Sequence, residues 1–489
     1  MEAVALLMTP VITSILCFFI PKPRVQAFIS LLGGLSILFQ GFWLAGRVFY
    51  YGTHTWFNNT LYLDALSAYV LGIISILTFT VSWYSVGYMA REVAHGVIHA
   101  KELRKYYCFL YIFIATMLST VMFNSLGLVW VAVEATTLAS ALLVGFYRTE
   151  HSLEAAWKYI VICTVGICFA LFGVILIYYG ATQVLGEGGT VLHWSMLMEH
   201  ADKMDQGLVK LGFLFVLVGY GTKVGLAPMH TWLPDAHSEA PTPVSALLSG
   251  GLLNCAFYAI LRYHILAVNS VGIEFSSHLL LLFGFTSIMV AVPFVLVQSG
   301  IKRLLAYSSV EHMGIMAIGI GIGGKWGYYG AILHMLNHSL AKSAVFLLVG
   351  NVIQRYRTKR IDRVHGVLQT MPITGSLLFI GIIALAGSPP FGIFVSKFQI
   401  GAALFAQMRY GLGSLYLILL ALVFTGLIYY FGKMLWGTPA AKQTRGDFGL
   451  WSTMPALLAL FWVIVSGIYF PGVADAIIFK VIKVLGGVS

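Results

Sequence analysis

Apolar runs of about twenty residues follow one another from residue 2 to residue 470, separated only by short polar joints. As an α-helix rising 1.5 Å per residue, a run of that length spans the hydrocarbon of a bilayer, about 30 Å. The runs are continuous, whereas the strands of a membrane barrel alternate apolar and polar residues over about ten positions. They fall at 2–20, 25–50, 63–90, 106–124, 125–147, 156–183, 208–228, 243–266, 276–298, 304–323, 328–353, 373–408, 412–436 and 451–470, which is fourteen spans. The expected fold is therefore all-α, a single polytopic transmembrane domain over 1–489. No joint is long enough for a separate soluble domain. An amphipathic tail at 473–489, carrying Ile477, Ile478, Val481, Ile482 and Leu485, is expected to lie on the membrane surface. Charged residues make up 10% of the chain, against about 25% in soluble domains, and the mean hydropathy is +0.88.

The formal net charge is +11, from 29 Lys+Arg against 18 Asp+Glu. On a chain this apolar the excess points to basic loops facing the cytoplasm rather than to nucleic acid. With residue 1 outside, eighteen basic residues fall on inner joints, among them Lys302, Arg355, Arg363, Lys442 and Arg445. Eight fall outside, among them Arg47, Lys203, Arg262 and Lys480. This bias places both termini on the outer side of a cytoplasmic membrane, with no cleaved leader expected. The five cysteines form no C-x-x-C pair, which argues against zinc or iron–sulfur ligation on this chain. Cys163 and Cys168 read as helix packing.

Three basic residues remain inside apolar runs: Lys223, Lys342 and Lys397. A lysine at the centre of a membrane helix costs about 2.5–3.5 kcal/mol on insertion scales and usually faces an ion path or hydrated cavity. Glu134 is the matching acid, alone in LVWVAVEATTLASALLVGF. His334, His338 and Lys342 recur at intervals of four, which places all three on one helix face over about 12 Å. The H-x-x-x-H pair lacks the glutamate of a zinc protease, and a relay fits it better than a metal.

Two prolyl breaks interrupt the helices. Pro228, Pro234, Pro241 and Pro243 follow Lys223, with His230, Asp235, His237 and Glu239 crowded among them. Ser388, Pro389, Pro390 and Gly392 precede Lys397. Broken helices inside a membrane are tolerated where they line a cavity, and a corresponding pair of them points to inverted repeats around a transport site. Glu311 and His312 read equally as relay groups or as interface anchors. Asn254 can order water through its amide but cannot itself hold a proton.

The segments GTKVGLAPMHTWLPDAHSEAPTPVSALLSGGLLNCAFYAILR, IKRLLAYSSVEHMGIM, HMLNHSLAKSAVFLLVGNVI and AGSPPFGIFVSKF together resemble the antiporter-like membrane subunits of respiratory complex I, of Mrp-type cation/proton antiporters and of group 4 membrane-bound nickel–iron hydrogenases. The details look most like the hydrogenase and formate hydrogenlyase branch. The resemblance implies that Glu134 is a helix-five carboxylate paired with Lys223. It makes His334, His338 and Lys342 the central connection, and Lys397 the group near the outlet. Where Asn254 stands the family often has Lys or His, so water would have to bridge that position.

These residues suggest a proton path through Glu134, Lys223, His230, Asn254, His334, His338, Lys342 and Lys397, with His237, Glu239, Glu311 and His312 as further candidates. Burial disfavours a charged lysine and a nearby carboxylate favours it, so Lys223 could hold or release a proton according to the distance of Glu134. No phosphate loop, cofactor fingerprint or iron–sulfur cysteine set appears on the chain, and no active site of its own is expected. The driving chemistry is expected on partners: other integral membrane subunits, and a peripheral redox arm carrying NiFe and Fe–S centres. The competing reading is a Na+/H+ antiporter subunit without a redox arm.

Overall fold

A computed structural model describes residues 1–439 and 445–486. Lys442 and the last residues of the expected tail lie outside the described residues. Seventeen helices carry the fold: α1 Glu2–Phe19, α2 Pro23–Tyr51, α3 Ala65–Ala94, α4 Leu103–Met122, α5 Leu126–Val144, α6 Glu150–Leu185, α7 Gln206–Val224, α8 Trp232–Glu239, α9 Thr242–Val271, α10 Ile273–Leu296, α11 Ile301–Ile322, α12 Gly324–Tyr356, α13 Pro372–Ala386, α14 Gly392–Ala406, α15 Tyr410–Leu435, α16 Met454–Ile468 and α17 Gly472–Val484. A short antiparallel hairpin pairs His54–Trp56 with Leu61–Leu63.

Twelve of these helices are long and apolar enough to cross a membrane. The span expected at 373–408 is two 15-residue helices, α13 and α14. The last expected span is the 15-residue α16, which turns through 85° into α17. The expected amphipathic tail is α17. It buries Ile478, Val481 and Ile482, and Tyr329 of α12 donates to Asp475 at 2.6 Å.

Local sequence sets the helix ends. Asp64, Thr149 and Asp205 cap α3, α6 and α7 by accepting the backbone N–H of Ser67, Ser152 and Leu208, which satisfies donors that a helix start leaves open. Successive spans alternate in direction. One end of the bundle gathers the basic joints, where Glu239 pairs with Lys359 at 2.9 Å and Arg303 with Asp235 at 2.9 Å. The hairpin, the α12 start and α17 lie at the opposite end.

Burial is uneven. The apolar windows of α9 and α11 are wholly enclosed and that of α12 nearly so, whereas α1, α2, α6 and α15 present most of their surface outward. Outward residues such as Val131, Leu138, Trp157, Phe169 and Phe172 are apolar, as a lipid or partner-subunit face requires. The enclosed helices carry the polar side chains. Within α9 a π-helical turn, Leu248–Leu252, widens the hydrogen-bond register just before Asn254.

The two breaks share a local design. α7 ends at Gly225 and α13 at Gly387, both in the left-handed region, at φ +80° and +90°. Three residues on, Pro228 and Pro390 each follow a cis peptide bond. At Gly387 the space is occupied as well, since a Cβ there would lie 2.8 Å from Lys397 Cδ.

Candidate functional site

Glu134 sits half-buried on the outer wall of the bundle. Its Oε2 accepts from Thr137 Oγ1 at 3.0 Å, and its Oε1 from Thr164 Oγ1 of α6 at 2.9 Å. Lys223, in the last turn of α7, is fully buried. Its Nζ donates to Thr137 Oγ1 at 2.8 Å and to Tyr159 OH at 2.6 Å. The expected contact of Glu134 with Lys223 is therefore replaced by one through Thr137, whose hydroxyl accepts from the lysine and donates to the carboxylate. A hydroxyl can do both at once. Tyr159 also meets Ser140 Oγ at 2.7 Å.

The chain beyond the break closes over this cluster. Trp232 donates to the Thr222 carbonyl at 2.7 Å, and its ring lies 4.6 Å from that of Tyr159. The freed Ala227 N–H is taken by Ser287 Oγ of α10 at 2.9 Å.

Asn254 ties α9 to the histidine helix. Its amide donates to the Gly250 carbonyl in the π turn at 2.7 Å and to Ser339 Oγ of α12 at 2.6 Å. Ser339 is the neighbour of His338.

His334, His338 and Lys342 are fully buried on α12, with the two imidazoles nearly parallel at 6.3 Å. His312 of α11 inserts its ring 5.0 Å from His334 and 4.9 Å from His338. Its Nδ1 lies 2.8 Å from His334 Nε2, and His334 Nδ1 lies 2.8 Å from Ser396 Oγ. Lys342 donates to the Leu305 carbonyl at 2.8 Å.

Glu311 and His312 belong to the interior, not to an interface. Glu311 Oε1 accepts from Lys397 Nζ at 2.9 Å, and its other oxygen lies 3.6 Å from His312 Nε2. Lys397 also faces the Leu385 and Ala386 carbonyls, at 3.4 Å each. These carbonyls are open because α13 stops at Gly387 and cannot bond them onward.

The remaining candidates separate. His230 packs against the stacked rings of Phe294 and Tyr307 near the basic end, away from the groups that hold Lys223. His237 is fully buried, with its ring stacked on Phe346 of α12 at 5.3 Å. Glu239 lies on the rim in its pair with Lys359.

Two basic residues assigned to joints are in fact interior. Lys302 is buried and donates to the Ala240 carbonyl at 2.6 Å. Arg262 is buried against Asp64, with Nη1 and Nη2 donating to the two carboxylate oxygens at 2.6 and 2.7 Å. Both lie near span ends, where a joint and a buried turn read alike. Sequence reasoning also passed over Thr137, Tyr159, Thr164, Ser339 and Ser396. Only Thr137, one helical turn from Glu134, carried a spacing signal.

The family described as NADH:quinone oxidoreductase/Mrp antiporter, TM, matches residues 124–428, the stretch that holds every group from Glu134 to Lys397. The chain belongs to this family. A second family, NADH-ubiquinone oxidoreductase (complex I), chain 5 N-terminus, matches residues 52–95. This family member is 37% identical to a hydrogenase-4 component F homolog of Methylacidiphilum infernorum, over 96% of this chain and 97% of the relative. It is 29% identical to hydrogenase-4 component B of Escherichia coli, over 72% of this chain and 52% of that longer protein. It is 30% identical to Na(+)/H(+) antiporter subunit A1 of Staphylococcus haemolyticus, over 70% of this chain and 42% of that one. In fold it is similar to a chain of the membrane-bound sulfane sulfur reductase, an archaeal respiratory membrane complex, with TM-score 0.87 at 22% identity over 99% and 98% of the two chains. It is also similar to a chain of the Mrp complex from Dietzia sp. DQ12-45-1b, with TM-score 0.84 at 20% identity over 99% of each. The chain is an antiporter-like, multi-pass membrane-arm subunit of the complex I-like type, as the resemblance implied, and such subunits work beside other membrane subunits.

Proposed function

We propose that this subunit translocates protons across the cytoplasmic membrane within a redox complex of the membrane-bound hydrogenase type. The observation that carries the reading is a succession of polar groups that begins half-buried at Glu134 and continues buried across the bundle through α9, α11 and α12. It runs from Glu134 through Thr137 to Lys223, by Asn254 and Ser339 to His338 and Lys342, and by His312 and His334 to Glu311 and Lys397. Intramembrane ionisable groups in such number mark an ion path. The likeness to a hydrogenase-4 component F homolog over nearly the whole of both chains supports the hydrogenase branch.

The chemistry follows from the contacts. Drawing Glu134 away from the Thr137 hydroxyl removes the charge that favours protonated Lys223, and Lys223 then releases its proton toward Asn254 and its water. Imidazoles that touch one another pass a proton by taking it on one nitrogen and giving it from the other. Lys397 exchanges protons with Glu311 at the far end. Moving one charge against 100 mV requires about 2.3 kcal/mol, less than two pKa units of lysine shift at about 1.36 kcal/mol each.

The driving oxidation takes place, in this reading, on a peripheral arm carrying NiFe and Fe–S centres, joined through other membrane subunits. The basic end faces the cytoplasm, so residues 2 and 486 lie on the outer side. Moving Lys302 and Arg262 from the joints to the interior leaves the basic bias at 17 to 7, which still supports this orientation.

The test is purification in mild detergent through a tag on this chain, mass spectrometry of the co-purifying proteins, and donor-driven proton uptake by inside-out vesicles. A redox arm is expected to co-purify, and Lys223→Ala and Lys397→Ala to abolish uptake while the complex still assembles. Full pumping by both variants would refute the reading. Small hydrophobic partners alone, with Na+-dependent exchange, would favour the Na+/H+ antiporter to which the Staphylococcus likeness points.

A further inference from the structure

Two buried titratable side chains, His237 and Lys302, stand outside the line of groups above, toward the basic end. His237 is enclosed and both its ring nitrogens lack a partner. Buried polar atoms are nearly always hydrogen-bonded, and a partnerless one is a place where water can serve as the partner. The ring stacks on Phe346, one turn beyond Lys342 on α12, so it extends the His334–His338–Lys342 face toward the basic end. Lys342 and Lys302 are the charged groups that act on it. Lys302 in turn feels Lys359, Glu239 and Glu92, and the Glu239–Lys359 pair lies at the surface.

Partnerless buried atoms gather along this stretch. His338 has both ring nitrogens unpaired, and Ser308 Oγ and Ser343 Oγ are also without partners. Ser308 is one turn past Leu305, whose carbonyl holds Lys342, and Ser343 follows Lys342 in sequence. The groups around Lys223 differ. Glu134, Thr137, Tyr159, Ser140 and Lys223 all have partners, and Trp232 covers them from the basic side.

We propose that His237 and Lys302 form a proton inlet, leading from the Glu239–Lys359 rim on the basic face through a hydrated gap to Lys342, so that protons join the line in the second half of the subunit. A proton taken up on one nitrogen of His237 leaves the other nitrogen through water to Lys342, and the imidazole returns to neutrality. Lys302, fastened to the Ala240 carbonyl at the end of α8, stands between rim and ring. This inlet rests on the proton-translocating reading above, and its test separates the two.

In the intact complex, His237→Phe keeps the stack on Phe346 but removes both proton-carrying nitrogens. Donor-driven proton uptake by inside-out vesicles is expected to fall at least tenfold with assembly unchanged, and Lys302→Met to reduce it as well. Lys397→Ala is the control. If Lys397→Ala and Lys223→Ala both pump at the full rate, the translocation reading itself fails. If the control is silent and His237→Phe pumps at the full rate, the inlet alone is overturned. Hydroxyl-radical footprinting of the unmodified complex covers the case in which the variant fails to fold. Water beside His237 predicts oxidation of the peptide bearing His237 or Phe346 at rates approaching those of exposed residues. Complete protection of both would overturn the inlet.

Discussion

Glu311 and Lys397 form an ion pair of 2.9 Å with the carboxylate wholly enclosed. Eighty-six residues separate them in sequence. Glu134 and Lys223 form the acid–lysine pair beside the first break, where the lysine precedes the break instead of following it, and a threonine hydroxyl stands between them. One pair is closed and the other is held one hydroxyl open, a difference that mutation can test.

Removing one member of an enclosed ion pair strands the other, at a cost of about 3–5 kcal/mol. Glu311→Gln should therefore lower the melting temperature of the purified complex by several degrees. Glu311→Gln combined with Lys397→Met should restore part of that loss without restoring proton uptake. Equal melting temperatures for wild type and Glu311→Gln would contradict the pairing.

Thr137→Val keeps the shape of the side chain and deletes the hydroxyl. The bridge then has no atom to carry it, and a lost hydrogen bond to a charged group is worth about 1.5–3 kcal/mol, or tenfold and more in rate. Proton uptake should fall by that factor, and Thr137→Ser should recover most of it. Vesicle uptake measured beside donor oxidation distinguishes this from lost assembly.

Gly387→Ala places a methyl group on Lys397 in a left-handed backbone conformation that costs an L-residue about 1–2 kcal/mol. Lower thermal stability and weaker uptake should appear together. Gly46→Ala is a suitable control, because a Cβ at Gly46 meets nothing within 4 Å.

Arg262→Met tests a buried pair that lies outside the proposed path. Asp64 would lose its two charge-assisted hydrogen bonds from Arg262. The yield of complex should drop, while uptake per assembled complex should stay near wild type. A specific loss of uptake at normal yield would instead draw Asp64 and Arg262 into the translocation route.

The spans, Glu134, and the three lysines were legible because a charge inside an apolar run has no other ready explanation. The His334–His338–Lys342 face was legible from its four-residue spacing. His312 was ambiguous, since nothing in IKRLLAYSSVEHMGIM says how far α11 sinks before Glu311. Thr164, Tyr159, Ser339 and Ser396 were silent because hydroxyls are ordinary in membrane helices, and only packing shows which of them face a charge. Lys302 and Arg262 were misplaced for a related reason. A basic residue within a turn of a span end can point into a loop or back into the bundle, and hydropathy does not separate these cases.

The π turn in α9 holds one residue more than an α-helix of the same rise would need. Below it Thr242 meets Tyr88 at 3.4 Å, and above it Arg262 is clamped by Asp64, so both ends of the helix are pinned. Sliding the extra residue past Asn254 would turn that amide by about 100° and withdraw it from Ser339 while the ends stayed fixed. The helix thus keeps its one spare residue directly beside the amide that ties it to Ser339 of α12.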